Sequence, residues 1–209
     1  MTRLRPTSLK PRKSPQQERA RVLVDAIVEA ATRILKQEGA HALNTNHIAE
    51  LAGVSVGSLY QYFPNKQAIL VAVIETQLAG DRHAARGWLD PPGATLEAQL
   101  RHMVRAMCHR HAEMAPLLGQ LLPLVSQLEQ EALVRRGLQR MSDDFDEFLA
   151  VRVDWLRPEL ADPEQRARSV VVLSDAIRGA LNSTLSEPDR LNDPDFQLDL
   201  VRLSLGLLT

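Results

Sequence analysis

Residues 44–66 read NTNHIAELAGVSVGSLYQYFPNK, and this stretch decides the fold of the N-terminal part of the chain. Ile48 and Ala49 give a first short helix an apolar face. Gly53 is the residue type that ends a helix and turns the backbone, and Ser55 can cap a second short helix. The spacing predicts a helix-turn-helix, two short helices joined by a tight turn.

The second short helix has two different faces. Leu59 and Phe63 lie one turn apart and form its inward face, because neither short helix is stable alone and both must pack on the helix before them. Tyr60 and Tyr62, the only tyrosines of the chain, then fall outside that face. An outward tyrosine hydroxyl suits the phosphate oxygens beside a DNA groove. The alternative is that both rings pack against the following helix.

Other side chains of this stretch also suit contacts with a duplex. Gly57 allows the backbone to approach a phosphate closely because it has no side chain. Lys66 opens the next helix and supplies a positive charge for a further phosphate. Ser58 and Gln61 can form hydrogen bonds with base edges.

The stretch closely resembles the DNA-binding domain of the tetracycline-repressor (TetR) family. The shared frame, IA-x-x-AGVS-x-G-x-LY-x-x-F-x-x-K, comprises here Ile48, Ala49, Ala52, Gly53, Val54, Ser55, Gly57, Leu59, Tyr60, Phe63 and Lys66. The resemblance is strong over residues 15–75. It implies that Asn44 and Thr45 abut the DNA backbone, that Gly57, Tyr60, Tyr62 and Lys66 touch phosphates, and that Val56, Ser58 and Gln61 face bases. Position 62 is often a histidine in the family and is a tyrosine here.

The composition favours an all-α fold. Of the 209 residues, 44% are hydrophobic but only 4% are aromatic. Leucine and alanine are strong helix formers, whereas the aromatic residues common in sheets are scarce. No segment alternates as a strand would. Apolar spacing and caps predict about nine helices, over residues 15–38, 44–53, 56–63, 66–88, 95–111, 115–127, 129–156, 163–185 and 194–208.

Three predicted helix starts share one signal. Ser14-Pro15, Asp162-Pro163 and Asp193-Pro194 each place a capping residue before a proline at the first helical position. Gly39 is expected to end the first helix. We therefore expect three parts: a disordered basic arm over residues 1–14, a helix-turn-helix DNA-binding domain over 15–66, and a helical ligand-binding and dimerisation domain over 67–209.

Charge is unevenly distributed along the chain. The net charge is −1, but residues 1–66 contain ten Lys and Arg against five acidic residues, and the remainder contains 15 against 21. A basic end on an acidic body is typical of a nucleic-acid-binding segment joined to a second part. The arm residues either reach into a minor groove, as homeodomain arms do, or form a solubilising tail, and both readings stay open. They are Arg3, Arg5, Lys10, Arg12 and Lys13.

The last two predicted helices carry more apolar surface than a single stripe. Residues 170–173 read VVVL, and residues 194–208 have two apolar faces. These faces are Phe196, Leu200, Leu203 and Leu207 on one side, and Leu198, Val201, Leu205 and Leu208 on the other. A surface helix needs only one such stripe. We predict a homodimer through helices 163–185 and 194–208 that binds a palindromic operator, as in the family; the alternative is a pair buried inside a monomer.

The resemblance implies that the remaining helices enclose a pocket for a small apolar or amphipathic inducer. Methionine and aromatic side chains suit an adaptable cavity, although each of these residues also fits plain core packing. The candidates are Trp88, Met103, Met107, Leu121, Phe145, Phe148, Arg152 and Trp155. Arg152 interrupts an apolar stripe that steps by four and three from Val134 to Trp155. It either binds an acidic ligand or pairs with an internal acid such as Asp175.

The sequence favours a regulator over an enzyme. It contains no phosphate-binding glycine loop, HExxH, nucleophile elbow or CxxC motif, so we expect neither catalysis nor a cofactor. Cys108, His109 and His111 suggest a metal site, but neighbours two positions apart diverge on a helix, so we predict no metal.

Cellular location and mode of regulation complete the expectations. One cysteine and no bilayer-length apolar run predict a cytoplasmic protein with no membrane partner. The resemblance implies a repressor that a small molecule releases from DNA. An activator, or a regulator triggered by a protein, stays open as the alternative.

Overall fold

The computed structural model describes residues 18–90 and 95–209, and these residues form eight α-helices and no β-strand. The helices are α1 (Glu18–Gln37), α2 (Thr45–Leu51), α3 (Val56–Tyr62), α4 (Lys66–Gly87), α5 (Leu96–Gln127), α6 (Glu131–Ala150), α7 (Pro163–Asn182) and α8 (Pro194–Leu208). Short 3₁₀ turns cover Val153–Trp155, Pro158–Ala161 and Pro188–Asn192. The all-α prediction is confirmed. The predicted basic arm and the Ser14-Pro15 start lie outside the described residues.

The helix starts follow the capping signals of the sequence. Asp162 accepts a hydrogen bond from the backbone N–H of Gln165 at 2.8 Å, and Asp193 accepts one from Asp195 at 3.0 Å. Pro163 and Pro194 begin α7 and α8, where the missing N–H costs nothing. Both predicted Asp-Pro starts are confirmed.

The turn between α2 and α3 is fixed by backbone hydrogen bonds. Gly53 has a φ of 68°, in the left-handed region that favours glycine. Its N–H donates to Glu50 at 3.1 Å, and the N–H of Val54 donates to Ala49 at 2.9 Å. These two bonds form a Schellman motif, which closes the end of α2 and starts α3 at a set angle. The sequence prediction of a tight turn at Gly53 is confirmed.

The described residues divide into two compact units. The first comprises residues up to Gln77 and Gly119–Glu131, and the second comprises Leu78–Leu118 and Ala132–Thr209. In the first unit, α2 packs on α1 and α3. Its fully buried side chains include Ile27, Ile34, Ile48, Leu59, Phe63 and Ile69. Burial of these large apolar groups stabilises two helices of seven residues each that would not form alone.

The second unit has one apolar core built from α5, α6, α7 and α8. Fully or nearly fully buried members are Leu100, Val104, Leu149, Leu160, Val170, Leu173, Leu191 and Leu208. Helices α7 and α8 pack on each other. Each also contacts a 3₁₀ turn, α7 the one over residues 158–161 and α8 the one over 188–192. No helix in the described ranges 18–90 and 95–209 is both long and apolar enough to span a bilayer.

One helix is longer than the sequence indicated. Prolines at positions 116 and 123 suggested a break between two helices, whereas α5 continues through both prolines to Gln127. A proline inside a helix removes one hydrogen bond and costs about 3 kcal/mol. Met114, Ala115, Leu117 and Leu121 are all buried around these positions, and this burial offsets the cost. The prediction of a separate helix over residues 115–127 was wrong.

Another helix is shorter than predicted. Helix α6 ends at Ala150, and residues 153–155 form a 3₁₀ turn. The expected helix to Leu156 was inferred from apolar spacing, but Val151 is 77% exposed and Arg152 adopts a non-helical backbone. The apolar stripe on α6 therefore ends at Phe148, and Arg152 and Trp155 lie beyond the helix.

Candidate nucleic-acid interface

Helix α3 presents different residues to the core and to solvent. Leu59 and Phe63 are completely buried, whereas Tyr60 is 40% exposed. The predicted inward face of Leu59 and Phe63 is therefore confirmed, and Tyr60 lies outside it. Tyr62 is half-buried, so its ring is only partly available. Gln61 between them is exposed.

The hydroxyl of Tyr60 is oriented by the preceding helix. Tyr60 Oη and Thr45 Oγ1 share a hydrogen bond of 3.2 Å between α3 and α2. Asn44 caps α2, since its Oδ1 accepts from the N–H of His47 at 2.9 Å and its Nδ2 donates to Ala42 at 3.2 Å. Thr45 thus lies beside α3, whereas Asn44 caps the start of α2.

The N-terminal turn of α3 is held by a serine pair. Ser55 Oγ accepts from the N–H of Ser58 at 3.0 Å and shares a 2.8 Å hydrogen bond with Ser58 Oγ. Sequence reasoning missed this side-chain bond, which the three-residue spacing of two serines signals. Gly57 is exposed between them, and a Cβ at this position would meet only Ser55 Oγ, at 3.8 Å. Packing inside the protein therefore does not require a glycine at position 57.

Lys66 begins α4 in a position that the helix itself disfavours. Asn65 Oδ1 accepts from the N–H of Ala68 at 2.8 Å and so caps this helix. A cation in the first turn opposes the helix dipole, and the first turn of α4 contains no acidic residue. Lys66 is half-buried, as is Val56 at the start of α3.

The predicted ligand-contact residues do not all come together. Phe145 and Phe148 belong to the core of the second unit, and Met103, Met107 and Trp155 pack against it. The Phe145 and Phe148 rings stack at 6.3 Å, and Trp155 meets Phe148 edge-on at 6.2 Å between centroids. The three rings form one aromatic cluster, and the two methionines pack against the same core. Trp88 is half-buried at the end of α4, and Leu121 is buried in the part of α5 that belongs to the first unit.

The suggested pairing of Arg152 with Asp175 is wrong. Arg152 Nη1 donates to the carbonyl of Phe148 at 2.7 Å, and its guanidinium lies 3.9 Å from the centre of the Phe148 ring and 5.5 Å from that of Trp155. Asp175 pairs with Arg178 instead. Arg152 therefore closes the end of α6 and joins the aromatic cluster by cation–π contacts.

A cluster that the sequence did not predict joins α4 to α6 inside the second unit. Asp144 is 8% exposed and accepts from Arg82 Nε at 2.7 Å, from Arg82 Nη2 at 2.8 Å and from Arg86 Nη2 at 2.7 Å. Arg82 and Arg86, by hydrogen bonds and charge, hold the pKa of this carboxyl well below its usual range. Two arginines four residues apart on one helix can share an acidic partner. Here that partner, Asp144, lies 58 residues after Arg86, and tertiary packing brings the two together.

Cys108, His109 and His111, considered above as metal ligands, lie in different environments. Cys108 is buried, and burial raises the pKa of its thiol to about 11. His109 lies on the surface, 3.2 Å from Glu113. His111 is half-buried, and burial lowers the pKa of its imidazole. Within residues 18–90 and 95–209, no three His, Cys, Asp or Glu side chains are grouped so that they could hold a metal ion.

Comparison with known proteins gives one family. Residues 27–73 match the sequence profile described as "Bacterial regulatory proteins, tetR family". The HTH-type transcriptional regulator RutR of Escherichia coli (strain K12) is 47% identical over 49 residues, and the match spans 23% of the length of each chain. The HTH-type transcriptional regulator BetI of Rhizobium meliloti (strain 1021) is 29% identical over 164 residues, 76% of this chain and 78% of BetI.

The similarity of fold extends along most of the chain. The structure of the SmeT–triclosan complex matches 88% of this chain and 89% of its own with a TM-score of 0.59 at 18% identity. SmeT is the repressor of a multidrug efflux pump of Stenotrophomonas maltophilia. At this level of identity the likeness extends to the fold alone.

Proposed function

We propose that the chain is a transcriptional repressor of the tetR family, whose profile residues 27–73 match, and that a small molecule releases it from its operator. The observation that carries the proposal is the division of α3, with Leu59 and Phe63 fully buried and Tyr60 and Gln61 exposed. A helix held in this way can enter a major groove with its polar face toward the bases.

The proposed contacts fall into two groups. Thr45, Tyr60 and Lys66 supply two hydroxyls and an ammonium for phosphate oxygens, and these contacts set the position of α3 on the duplex. Asn44 and Tyr62 belong to the same group, and Gly57 permits close approach of the backbone. Val56, Ser58 and Gln61 face the bases, where a glutamine amide can bond an adenine edge in two places.

Two unfavourable features within the fold support this assignment. Gly57 weakens α3 by about 0.5–1 kcal/mol relative to alanine, although the site has room for a Cβ. Lys66 opposes the dipole of α4 without an acid in the first turn. Both features are explained if a phosphate approaches this surface from outside.

The net positive charge of residues 1–66 comes from the residues that precede α1. Residues 18–66 contain five basic and five acidic residues, whereas residues 1–17 contain five basic residues and none that are acidic. Long-range attraction to DNA therefore comes mainly from residues 1–17 in this proposal. The proposal does not require residues 1–17 to enter a minor groove as well.

Helices α7 and α8 are proposed to form a homodimer interface. Val172 on α7 is 54% exposed and Leu203 on α8 is 46% exposed. A second copy of the same two helices would cover them. A two-fold dimer places its recognition helices about 34–36 Å apart and reads a palindromic operator.

The second unit is proposed to bind the small molecule. Its cluster of Met103, Met107, Phe145, Phe148 and Trp155 is adaptable and largely apolar, and SmeT, which shares the fold, is known in complex with triclosan. The molecule lowers DNA affinity by binding one state of the protein better than the other. An activator with the same DNA-binding surface is the second candidate.

The named relatives RutR and BetI are transcriptional regulators, which supports a regulator and not an enzyme. Such a regulator acts where the chromosome is, so the proposal implies a cytoplasmic protein.

The proposal is tested by titrating the protein against a labelled duplex from the region upstream of its own gene. At about 100 mM salt, we expect binding at least a thousandfold tighter than to a scrambled duplex of equal length. The complex should contain two protein chains by light scattering. Equal affinity for both duplexes contradicts a sequence-specific regulator, and a single bound chain contradicts the dimer.

A further inference from the structure

Helix α6 has a glycine where it approaches α4. A Cβ added to Gly137 would lie 2.9 Å from Leu78 Cδ1, 3.0 Å from Cδ2 and 3.2 Å from Cγ. Carbon atoms pack at about 3.5–4.0 Å, so a side chain at position 137 would displace Leu78 or α4 itself. Glycine weakens the interior of a helix relative to alanine. The contact with Leu78 gives a physical reason for a glycine at this position.

A second contact between the same two helices is ionic. Asp144 on α6 accepts hydrogen bonds from Arg82 Nε and Arg86 Nη2 of α4, each at 2.7 Å. Leu78, Arg82 and Arg86 follow one another at intervals of four residues, so they share one face of α4. Gly137 and Asp144 are seven residues apart, which is about two turns of α6, so they too share a face.

These five residues form what we call the α4–α6 seam, and all of them belong to the second unit. They are Leu78, Arg82, Arg86, Gly137 and Asp144. The contact at Gly137 limits how closely the two helices approach. The ion pairs at Asp144 fix how far one helix is shifted along the other. Together the two contacts define one position of α4 beside α6.

Helix α4 is also bonded to α5 within the second unit. Asp81 accepts from Arg110 Nε at 3.0 Å and from Arg110 Nη2 at 2.7 Å. Residues 78–87 of α4 are thus bonded to two helices of that unit, whereas residues 66–77 of the same helix belong to the first unit. A continuous helix is rigid, so a displacement of residues 78–87 is carried to residues 66–77.

We infer that the α4–α6 seam is a positioning device for operator binding, which holds α4 where the two recognition helices of a dimer fit the operator. The inference rests on the proposed function. The seam residues act through α4 and bind no DNA themselves. A wedge in the seam therefore lowers affinity for the operator, which requires a defined placement of two helices. Affinity for scrambled DNA is set by attraction to phosphates and does not change.

An exchange of side-chain size across the seam tests the inference. Gly137→Leu inserts a wedge against Leu78, and Gly137→Leu/Leu78→Ala returns the lost volume from the opposite helix. By fluorescence anisotropy, Gly137→Leu should bind the upstream duplex about tenfold more weakly than the wild type, and the double variant should recover to within about threefold. Gly87→Leu is the matched control, because it adds the same side chain to α4 where a Cβ meets nothing within 4 Å. It should bind as the wild type does.

The scrambled duplex separates positioning from a general loss of folded protein. Misfolding lowers the active concentration and so weakens binding to both duplexes equally, whereas a displaced α4 weakens only binding to the upstream duplex. Circular dichroism and light scattering verify that each variant is folded and dimeric. If Gly137→Leu does not fold, Gly137→Ala takes its place, since its methyl group meets the same atoms of Leu78. Its expected loss is about threefold.

Three results would overturn the inference. They are an unchanged affinity of the folded wedge variant for the upstream duplex, an equal loss on both duplexes, and a double variant that binds no better than Gly137→Leu. Each leaves the proposed function standing as long as the wild type prefers the upstream duplex. If the wild type shows no such preference, the regulator itself is contradicted, whatever the variants do.

Discussion

Tyr60 Oη and Thr45 Oγ1 lie 3.2 Å apart and join the recognition helix α3 to the start of α2. The bond is partly exposed, so water can replace either partner, and its net contribution to stability is about 1 kcal/mol or less. Its value lies in orientation, because it holds the Tyr60 hydroxyl beside Thr45 on the same surface. The two hydroxyls that we propose bind phosphates, on different helices, are thereby positioned together before DNA arrives.

Loss of phosphate contacts should weaken binding to every sequence. The double variant Tyr60→Phe/Lys66→Ala removes a hydroxyl and a charge, and we expect an affinity loss of about tenfold or more on specific and scrambled duplexes alike. The slope of log K against log salt should become shallower by about 0.9 for the lysine. Fluorescence anisotropy at several salt concentrations measures both, with Arg33→Ala, at an exposed position of α1, as the control. An unchanged salt slope would show that Lys66 does not contact a phosphate.

Loss of a base contact should change the sequence preference of the protein and not its affinity for all duplexes. Gln61 is exposed between the two tyrosines, and its amide can discriminate one base pair by about 1–3 kcal/mol. Gln61→Ala should therefore relax selectivity at one position of each half-site while leaving affinity for scrambled DNA unchanged. Binding to a library of single-base operator variants measures this. An equal loss on specific and scrambled duplexes counts against the base-reading role.

Gly57→Ala should raise the stability of the protein and lower its affinity for DNA. The added Cβ has room within the protein and improves helix α3, so the free energy of unfolding should rise by about 0.5–1 kcal/mol. DNA affinity should nevertheless fall, because the Cβ enters the space of an approaching phosphate. Gly119→Ala on α5 is the matched control, since a Cβ there meets nothing within 4 Å. If Gly57→Ala binds DNA as the wild type does, no backbone approach occurs at this residue.

The Asp144 cluster should give the protein a defined acid sensitivity. The pKa of Asp144 is lowered in the folded state, so its contribution is present above the unfolded pKa of about 3.9 and is lost as pH falls below it. Breaking a partly exposed ion pair of this kind costs roughly 2 kcal/mol. Asp144→Asn should thus lower the melting midpoint at pH 7 by about 4–8 °C.

The pH dependence and a neighbouring residue test this assignment. The difference between Asp144→Asn and the wild type should shrink as the pH is lowered through 4 towards 2. Asp143→Asn removes an adjacent, exposed carboxylate that bonds Gln139, and it should change the midpoint little. A constant difference from pH 7 to pH 2 would mean that Asp144 is not charged in the folded protein.

The helix-turn-helix was predictable because its determinants are local. Asn44, Gly53 and Ser55 act within a few residues of their own positions, and Leu59 and Phe63 face inward by helical spacing alone. The burial of those two side chains and the exposure of Tyr60 follow directly. Which DNA contacts these residues make stays a prediction.

The second part of the chain was less predictable because tertiary packing decides it. Local signals favoured a break at Pro116, but burial of Leu117 keeps α5 continuous. Apolar spacing favoured a helix through Arg152, but α6 ends at Ala150. The partners of Asp144 lie on a helix distant in sequence, which spacing on one helix does not reveal.

The most direct test of the account is chemical modification of Tyr60 in the presence and absence of DNA. Tyr60 and Tyr62 are the only tyrosines in the chain, so nitration by tetranitromethane followed by mass spectrometry reports on α3 alone. Free protein should be nitrated faster at the exposed Tyr60 than at the half-buried Tyr62. A saturating duplex from upstream of the gene should slow the nitration of Tyr60 at least fivefold. An unchanged rate at Tyr60 while the duplex is fully bound would show that DNA binds another surface.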